Sequence, residues 1–494
     1  MSNKSLGHQS YFYFIGRLIA FILSVFVPIV LVRVFTKIEY GIYTEVLLIY
    51  TFFLKLLQLG LKASILYFLP KYPEFKKEIV TNTTIIFLIL GFLIFLATIF
   101  FRENIGYLFN TAIIIDLMPY CGIYIFLMLI TVHFESILIS ETRAEMASFI
   151  VVITALMRSM FVLIFVIYFG TIKSALYALI SYSFIRLILF IIVNKYNLSF
   201  SLSRKNIDVL KLQLNYTLPL AGSGVVGVTM KRLDRILVST LFTPEMYAIY
   251  NIGKFKIPLM DMLINSIGDV SLPKAVSLIK ENKRIEFLKI WNKMILSVSY
   301  FGLGSFFLFQ IISKDFITLL FTENYVDAVP VFRIILIIML IQMLYYGIIL
   351  RAIGKTKFIF YSNLFGFLVC FPMIFLGIKY FGLVGGAFAS VIVFCTNAFS
   401  QIYYTLNSLN ISLAELYPIK SLLKICIISI IMSISLFYFQ TLFELKIIRI
   451  LFSSSLFLIG YVYLTKKLNI LNFFQIPIIQ QKAGFLFNNK YFKL

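Results

Sequence analysis

Long apolar runs, each close to the roughly 20 residues a helix needs to cross a bilayer core, recur along the whole chain with short polar links between them. They predict spans at about 11–35, 42–69, 80–101, 113–139, 148–169, 175–193, 214–242, 246–273, 290–312, 330–351, 358–380, 385–407, 420–440 and 446–465. The expected fold is therefore an all-α polytopic membrane protein of about 14 helices. An even count puts both termini on one side. One set of loops carries 24 Lys and Arg and the other only eight, so both termini are expected in the cytoplasm. Every outward loop is short, the longest at about 313–329. That leaves no room for an external catalytic or receptor domain, and function must lie between the helices.

The chain repeats itself. Phe35-Thr36, Tyr40 and Ile42-Tyr43 return as Phe242-Thr243, Tyr247 and Ile249-Tyr250, at a constant offset of 207 residues. Each copy holds six spans, so the two share one orientation and are related by an axis along the membrane normal. This predicts an N-terminal six-helix lobe over 1–200, a basic cytoplasmic connection over 201–213 and a C-terminal six-helix lobe over 214–407. Residues 408–494 then hold two accessory helices and a cytoplasmic tail.

Charges deep in a span cost several kcal/mol if they face lipid, so their alignment shows which faces do not. In the second span Thr44, Thr51, Lys55, Gln58 and Lys62 fall within about 60° of one another. In the eighth, Asn251, Lys254, Asp261, Asn265 and Asp269 fall within about 80°. At the repeat offset Thr44, Gln58 and Lys62 match Asn251, Asn265 and Asp269, and Arg17, Ser24 and Pro28 match Gly224, Lys231 and Arg235. Pro28, Pro219 and the GSGVVG run at 222–227 mark the first and seventh spans as bent or loosened. Two readings of the stripes stand side by side: the charges pair across helices or snorkel to the surface, or they line a polar cavity between the lobes.

Ten cations against six acids would make that cavity cationic, suited to a phosphate or pyrophosphate head group. The cations nominated for binding are Arg17, Lys55, Lys62, Arg158, Arg186, Lys231, Arg232, Arg235 and Lys254, with Gln58 beside them. Asp234, Asp261 and Asp269 are the acids placed to exchange a proton or hold sodium. His133 and Glu135, two residues apart, form either a proton relay or ordinary interhelix hydrogen bonds.

Composition agrees with the pattern. Of 494 residues 61% are hydrophobic and 13% charged, against about 25% charged in a soluble protein, and mean hydropathy is +0.98. The net charge of +23 is not carried by arginine-rich runs, so nucleic acid is not an expected partner and anionic lipid or substrate is. Cys121, Cys370, Cys395 and Cys426 lie in apolar runs without paired spacing, and His8 and His133 are far apart. Neither disulfide nor metal site is expected. The N-terminal apolar stretch is too long for a signal peptide and reads as a retained span.

Three stretches, RVFTKIEYGIYTEVLLIYTFFLKLLQLGLKASI at 33–65, KRLDRILVSTLFTPEMYAIYNIGKFKIPLMDMLINSIGDVSLPKAV at 231–276 and LLFTENYVDAVPVFRIILIIMLIQMLYYGIILRAIGKTKF at 319–358, resemble the polysaccharide-transport family of the multidrug/oligosaccharidyl-lipid/polysaccharide exporter superfamily, the lipid-linked oligosaccharide flippases. The resemblance implies alternating access of two six-helix lobes in the bacterial cytoplasmic membrane. It implies an undecaprenyl-pyrophosphate-linked repeat unit carried to the outer leaflet for O-antigen, capsule or exopolysaccharide assembly. It also implies a proton or sodium gradient in place of a cofactor, and a polysaccharide polymerase with chain-length machinery as partners. A cation-coupled multidrug exporter of the same superfamily is the alternative, with a more acidic and apolar cavity. A membrane-embedded polymerase or acyltransferase would need a large outward loop or a His-centred catalytic pair, and neither is present in the sequence.

The topology is testable by cysteine labelling in intact cells. An impermeant thiol reagent should modify a cysteine at position 37 or 325 and spare one at 205; labelling at 205 would refute the orientation.

Overall fold

The computed structural model describes residues 6–195, 197–198, 204–257, 264, 277–279, 281, 283–344, 347–439 and 443–468. Every regular element among them is helical. Among the described residues nine helical stretches are long and apolar enough to cross a membrane, and Leu18–Val34 and Ala328–Gln342 are shorter apolar helices. The chain divides into two compact units, Met1–Asn251 and Ile252–Leu494.

The repeated motif turns out to be a helix start. Helix α1 (Leu6–Val34) is followed by α2 (Lys37–Leu56), whose N-cap Thr36 accepts from the Glu39 amide while the Glu39 carboxylate accepts from the Thr36 amide. That reciprocal pair satisfies two otherwise orphaned donors. At the same offset, Thr243 accepts from the Met246 amide at 3.4 Å and starts a helix at Pro244. The aromatic and aliphatic members of the motif, Tyr40, Ile42 and Tyr43, and Tyr247, Ile249 and Tyr250, are all buried. The repeat therefore encodes a cap followed by a buried face.

In the first unit α1 packs along α8 (Ala144–Phe169), α4 (Lys76–Phe100) along α6 (Ala112–Ile130), and α9 (Ile172–Asn194) against α6 and α8. Apolar surface alone does not pull helices together in lipid, so contact relies on small residues that let side chains interlock. Gly16 lies against Ser148, and Gly122 against Thr98.

Three predicted spans are broken where their hydrophobicity is continuous. The span expected at 42–69 consists of α2 and α3 (Leu61–Lys71), joined through Leu59 and Gly60 with φ of 44° and 73°. The left-handed region suits Gly and explains its place at this joint. The span at 113–139 consists of α6 and α7 (Phe134–Ser140) around a turn at Thr131–His133. The one at 214–242 consists of α10 (Arg204–Met230) and α11 (Leu233–Leu241) around Lys231 and Arg232. Glycines 222, 224 and 227 do not break α10, which continues through them; a helix tolerates each for about 1 kcal/mol.

The basic connection also differs from the separate surface segment expected. From Arg204 it is already the first part of α10, and that helix is fastened to the first unit. Asn82 donates to the Asn206 carbonyl at 2.9 Å, Gln213 donates to Thr83 Oγ1 at 3.1 Å, and Val209 joins the core of Ile65, Phe68, Phe134 and Phe190.

The second unit is built on α13 (Arg284–Phe321), the longest unkinked helix described. It packs against α14 (Ala328–Gln342) and against the C-terminal pair α18 (Ile419–Phe439) and α19 (Lys446–Lys467). Tyr461 donates to the Tyr300 carbonyl at 2.7 Å with the two rings stacked. Arg449 pairs with Asp315 at 3.3 Å, and Lys446 pairs with Glu323. Helix α16 (Thr356–Leu409) follows the one-turn α15 (Ile348–Ala352) and is two helices folded back at Gly382, which has φ 59° and ψ −142°. Asn397 reaches Asn363 at 2.7 Å across the fold, and the Gly377 and Gly385 backbones meet below it.

Gly382 has open space where a Cβ would stand, so Gly382→Ala should act through backbone strain alone, of about 1–3 kcal/mol. Thermal unfolding of the detergent-solubilised protein should fall for Gly382→Ala and not for Gly227→Ala, which also adds a Cβ in open space but on a helical backbone. Equal midpoints would show that the fold-back does not depend on glycine.

Candidate functional site

The α2–α3 break opens a cavity of about 420 Å³ in the first unit. Lys55, Gln58 and Lys62, three members of the polar stripe, lie on its wall, and Ala221, Gly224 and Val228 of α10 supply a small-residue wall. The stripe survives the break because α3 resumes with Lys62 still on the side of Lys55. Leu56 at the end of α2 and Gly60 at the start of α3 both face the cavity. The negative end of one helix dipole and the positive end of the next thus meet there and largely offset. The two lysines set the sign of the site.

Beside it lies a buried ionic network at the α6–α7 break. Arg186 of α9, only 6% exposed, donates through Nη2 to Glu135 Oε1 at 2.7 Å and to the Thr131 carbonyl at 3.3 Å. Its Nε donates to Thr131 Oγ1 at 3.1 Å and its Nη1 to Thr154 Oγ1 at 3.4 Å. His133, fully buried, shares a 3.0 Å hydrogen bond between Nε2 and Thr84 Oγ1. Its Nδ1 has no hydrogen-bond partner among the described residues, and its ring lies between Phe87 and Phe190. Lys62 lies within electrostatic reach of both His133 and Glu135, which ties the network to the cavity wall.

The remaining nominated residues do not share one surface. Arg158 of α8 lies within electrostatic reach of Tyr43, Tyr50, Tyr124 and Tyr182, and Tyr50 and Tyr124 stack at 4.2 Å. Arg232 donates to Thr51 Oγ1 at 2.6 Å, which fastens the α10–α11 turn to the same stripe of α2. Lys231 in that turn is exposed, and Arg235 on α11 is partly buried. Asp234 is buried and accepts from the Tyr250 hydroxyl at 2.8 Å. Lys254 lies 3.4 Å from Ser390 Oγ within the second unit. Asp261, Asp269 and the side chain of Arg17 lie outside the described residues.

Sequence reasoning counted Glu45 among the six acids and assigned it no role. It is fully buried on α2, accepts from Ser239 Oγ of α11 at 2.8 Å, and its Oε2 has no partner among the described residues. It sits one residue off the polar stripe, and the only signal was an acid inside an apolar run. Thr131 and Thr154 were overlooked, because a threonine in a span is usually satisfied by its own helix.

The family described as "Polysaccharide biosynthesis protein" matches residues 30–330. The capsular polysaccharide biosynthesis protein CapF of Staphylococcus aureus is 28% identical over 177 residues, 35% of this chain and 44% of that protein. The match thus spans less than half of CapF. Among solved structures, a mutant of the Vibrio cholerae MATE transporter VcmN is similar with a TM-score of 0.59 at 13% identity, over 83% of this chain and 97% of that one. A MOP superfamily transporter from Pyrococcus furiosus, described as having a binding pocket of reversed polarity, is similar with a TM-score of 0.56 at 15% identity, over 80% and 93%. At these identities the structures speak for the fold alone. With the family match covering most of its length, the chain belongs to the polysaccharide biosynthesis protein family.

Proposed function

We propose that the protein is a flippase that carries a pyrophosphate-linked oligosaccharide on a polyprenyl lipid from the cytoplasmic to the outer leaflet of a bacterial cytoplasmic membrane. The lobes of the sequence repeat would alternate in access, with both termini cytoplasmic, and the lifted glycan would feed a polymerase and its chain-length machinery. The observation that carries this reading is the pairing of Lys55 and Lys62 on one cavity wall, with no acid among the lining residues. A phosphate there gains charge-assisted hydrogen bonds from the two ammonium groups. A cavity of about 420 Å³ accepts a head group and leaves the lipid tail outside. Arg232 brings a further cation to the α2 stripe through Thr51, and Asp234 two residues on is the acid assigned to answer an ion gradient.

The MATE relatives favour a second reading, export of small molecules. The two separate on deletion of the gene. Loss of surface glycan with lipid-linked repeat units held on the cytoplasmic side supports the flippase, whereas unchanged glycan with raised drug sensitivity supports the exporter.

Removing one cation–phosphate hydrogen bond costs about 1.5–3 kcal/mol. Lys55→Gln and Lys62→Gln should therefore each lower transport about ten- to a hundredfold, with the protein still present in the membrane. Normal export by both variants would make the stripe structural. Asp234→Asn should leave head-group binding intact and remove stimulation by the gradient in reconstituted vesicles; stimulation that persists would exclude this acid.

A further inference from the structure

Glu135 stands out among the acids of the first unit because its surroundings lead directly to the cavity. Arg186 of α9 holds it at 2.7 Å. Lys62 of α3 lies within electrostatic reach of it, as does His133 in the turn before α7. Tyr182 of α9 reaches it only through Arg186, while α4 and α8 bring the neutral hydroxyls of Thr84 and Thr154 to the network. Lys62 is at once a neighbour of Glu135 and a lining residue of the cavity. Helix α3, which carries Lys62 on the cavity wall, packs against α7, which carries Glu135.

The second copy of the repeat argues that this cluster is not scaffolding. The offset has grown to 212 in this part of the chain, where the positive-φ residues Asn110, Thr142 and Gly170 match Thr322, Gly354 and Gly382. Glu135 and Arg186 then correspond to Gly347 and Ala398, and α15 and α16 form there without an ion pair. A buried ion pair gives little stability over an apolar packing of similar volume, so its presence in one copy alone calls for another explanation.

We propose that Glu135 is a proton-accepting site loaded by the guest of the neighbouring cavity. An anionic head group at Lys55 and Lys62 draws Lys62 away from Glu135 and adds a negative charge nearby, and the less compensated carboxylate takes up a proton from water. When the anion leaves, Lys62 returns and the proton is released. Anion and proton binding then favour each other by the same factor, as linkage requires. The inference rests on reading the cavity as an anion site.

The test titrates inorganic pyrophosphate into the full-length protein in lipid nanodiscs. Calorimetry near neutral pH, in two buffers of different ionisation enthalpy, counts the protons exchanged per anion bound. Wild type should take up more protons than Glu135→Gln, by up to about one, while the variant still binds pyrophosphate. Lowering the pH should strengthen wild-type binding relative to Glu135→Gln by about fivefold or more. Because Glu135→Gln leaves Arg186 uncompensated, Glu135→Gln/Arg186→Gln supplies a neutral pair. Lys62→Gln keeps the Glu135–Arg186 pair and should lose the same linked proton together with affinity. An unchanged proton count in the double variant and in Lys62→Gln overturns the inference and leaves the cavity reading standing. Failure of wild type to bind pyrophosphate overturns both.

Discussion

A guanidinium inside an apolar helical bundle persists only if every side of it meets an acceptor, and Arg186 sets that demand for the first unit. It is met by a carboxylate, two threonine hydroxyls and one backbone carbonyl. The carbonyl is that of Thr131, which caps the end of α6. Its oxygen also accepts from the Phe134 amide at 3.1 Å and takes the arginine on its other lone pair. The break leaves room for the arginine at this carbonyl, and the arginine gives the helix end a second hydrogen bond. Each makes the other affordable, and removing one partner of such a pair costs about 3–5 kcal/mol.

Cationic side chains also stand at the other two breaks. The α2–α3 joint carries Lys55, Gln58 and Lys62 around its open turn, and the α10–α11 joint carries Lys231 and Arg232, the latter bonded to Thr51 of α2. The turns at these joints keep their own backbone hydrogen bonds, and the break in the helix supplies the space beside the cationic side chains. A cavity at such a joint has charge on its wall without a dedicated domain to hold it. The chain can thus place a polar site in a protein whose loops are all short.

The two sequence copies share a scaffold and divide the chemistry. Thr36 and Thr243 cap equivalent helices, and the tyrosines that follow are buried in both. The ion pair of the first copy is replaced in the second by Gly347 and Ala398. A transporter of an anionic lipid needs its positive charge on the path of the head group, and a duplicated scaffold can specialise one copy for that purpose while the other keeps the helical plan.

Much of this was written in the one-dimensional pattern. Apolar run length fixed the all-helical membrane class because bilayer thickness demands about 20 residues per crossing. The 207-residue offset marked the true helix starts because capping is local chemistry, settled by Thr36 and Glu39 three residues apart. The stripe of Lys55, Gln58 and Lys62 was legible because side chains on one helical face recur at 3.6-residue intervals, and the joint at Gly60 happened to preserve that face. The joints themselves were invisible, since Leu57, Leu59 and Val132 keep hydropathy high across the turns and hydropathy does not register a change of φ. Arg186 with Glu135, and Glu45 with Ser239, were equally hidden. Their partners lie 51 and 194 residues away, and only the packing of α7 and α9 on α8, and of α11 on α2, brings the elements that carry them together.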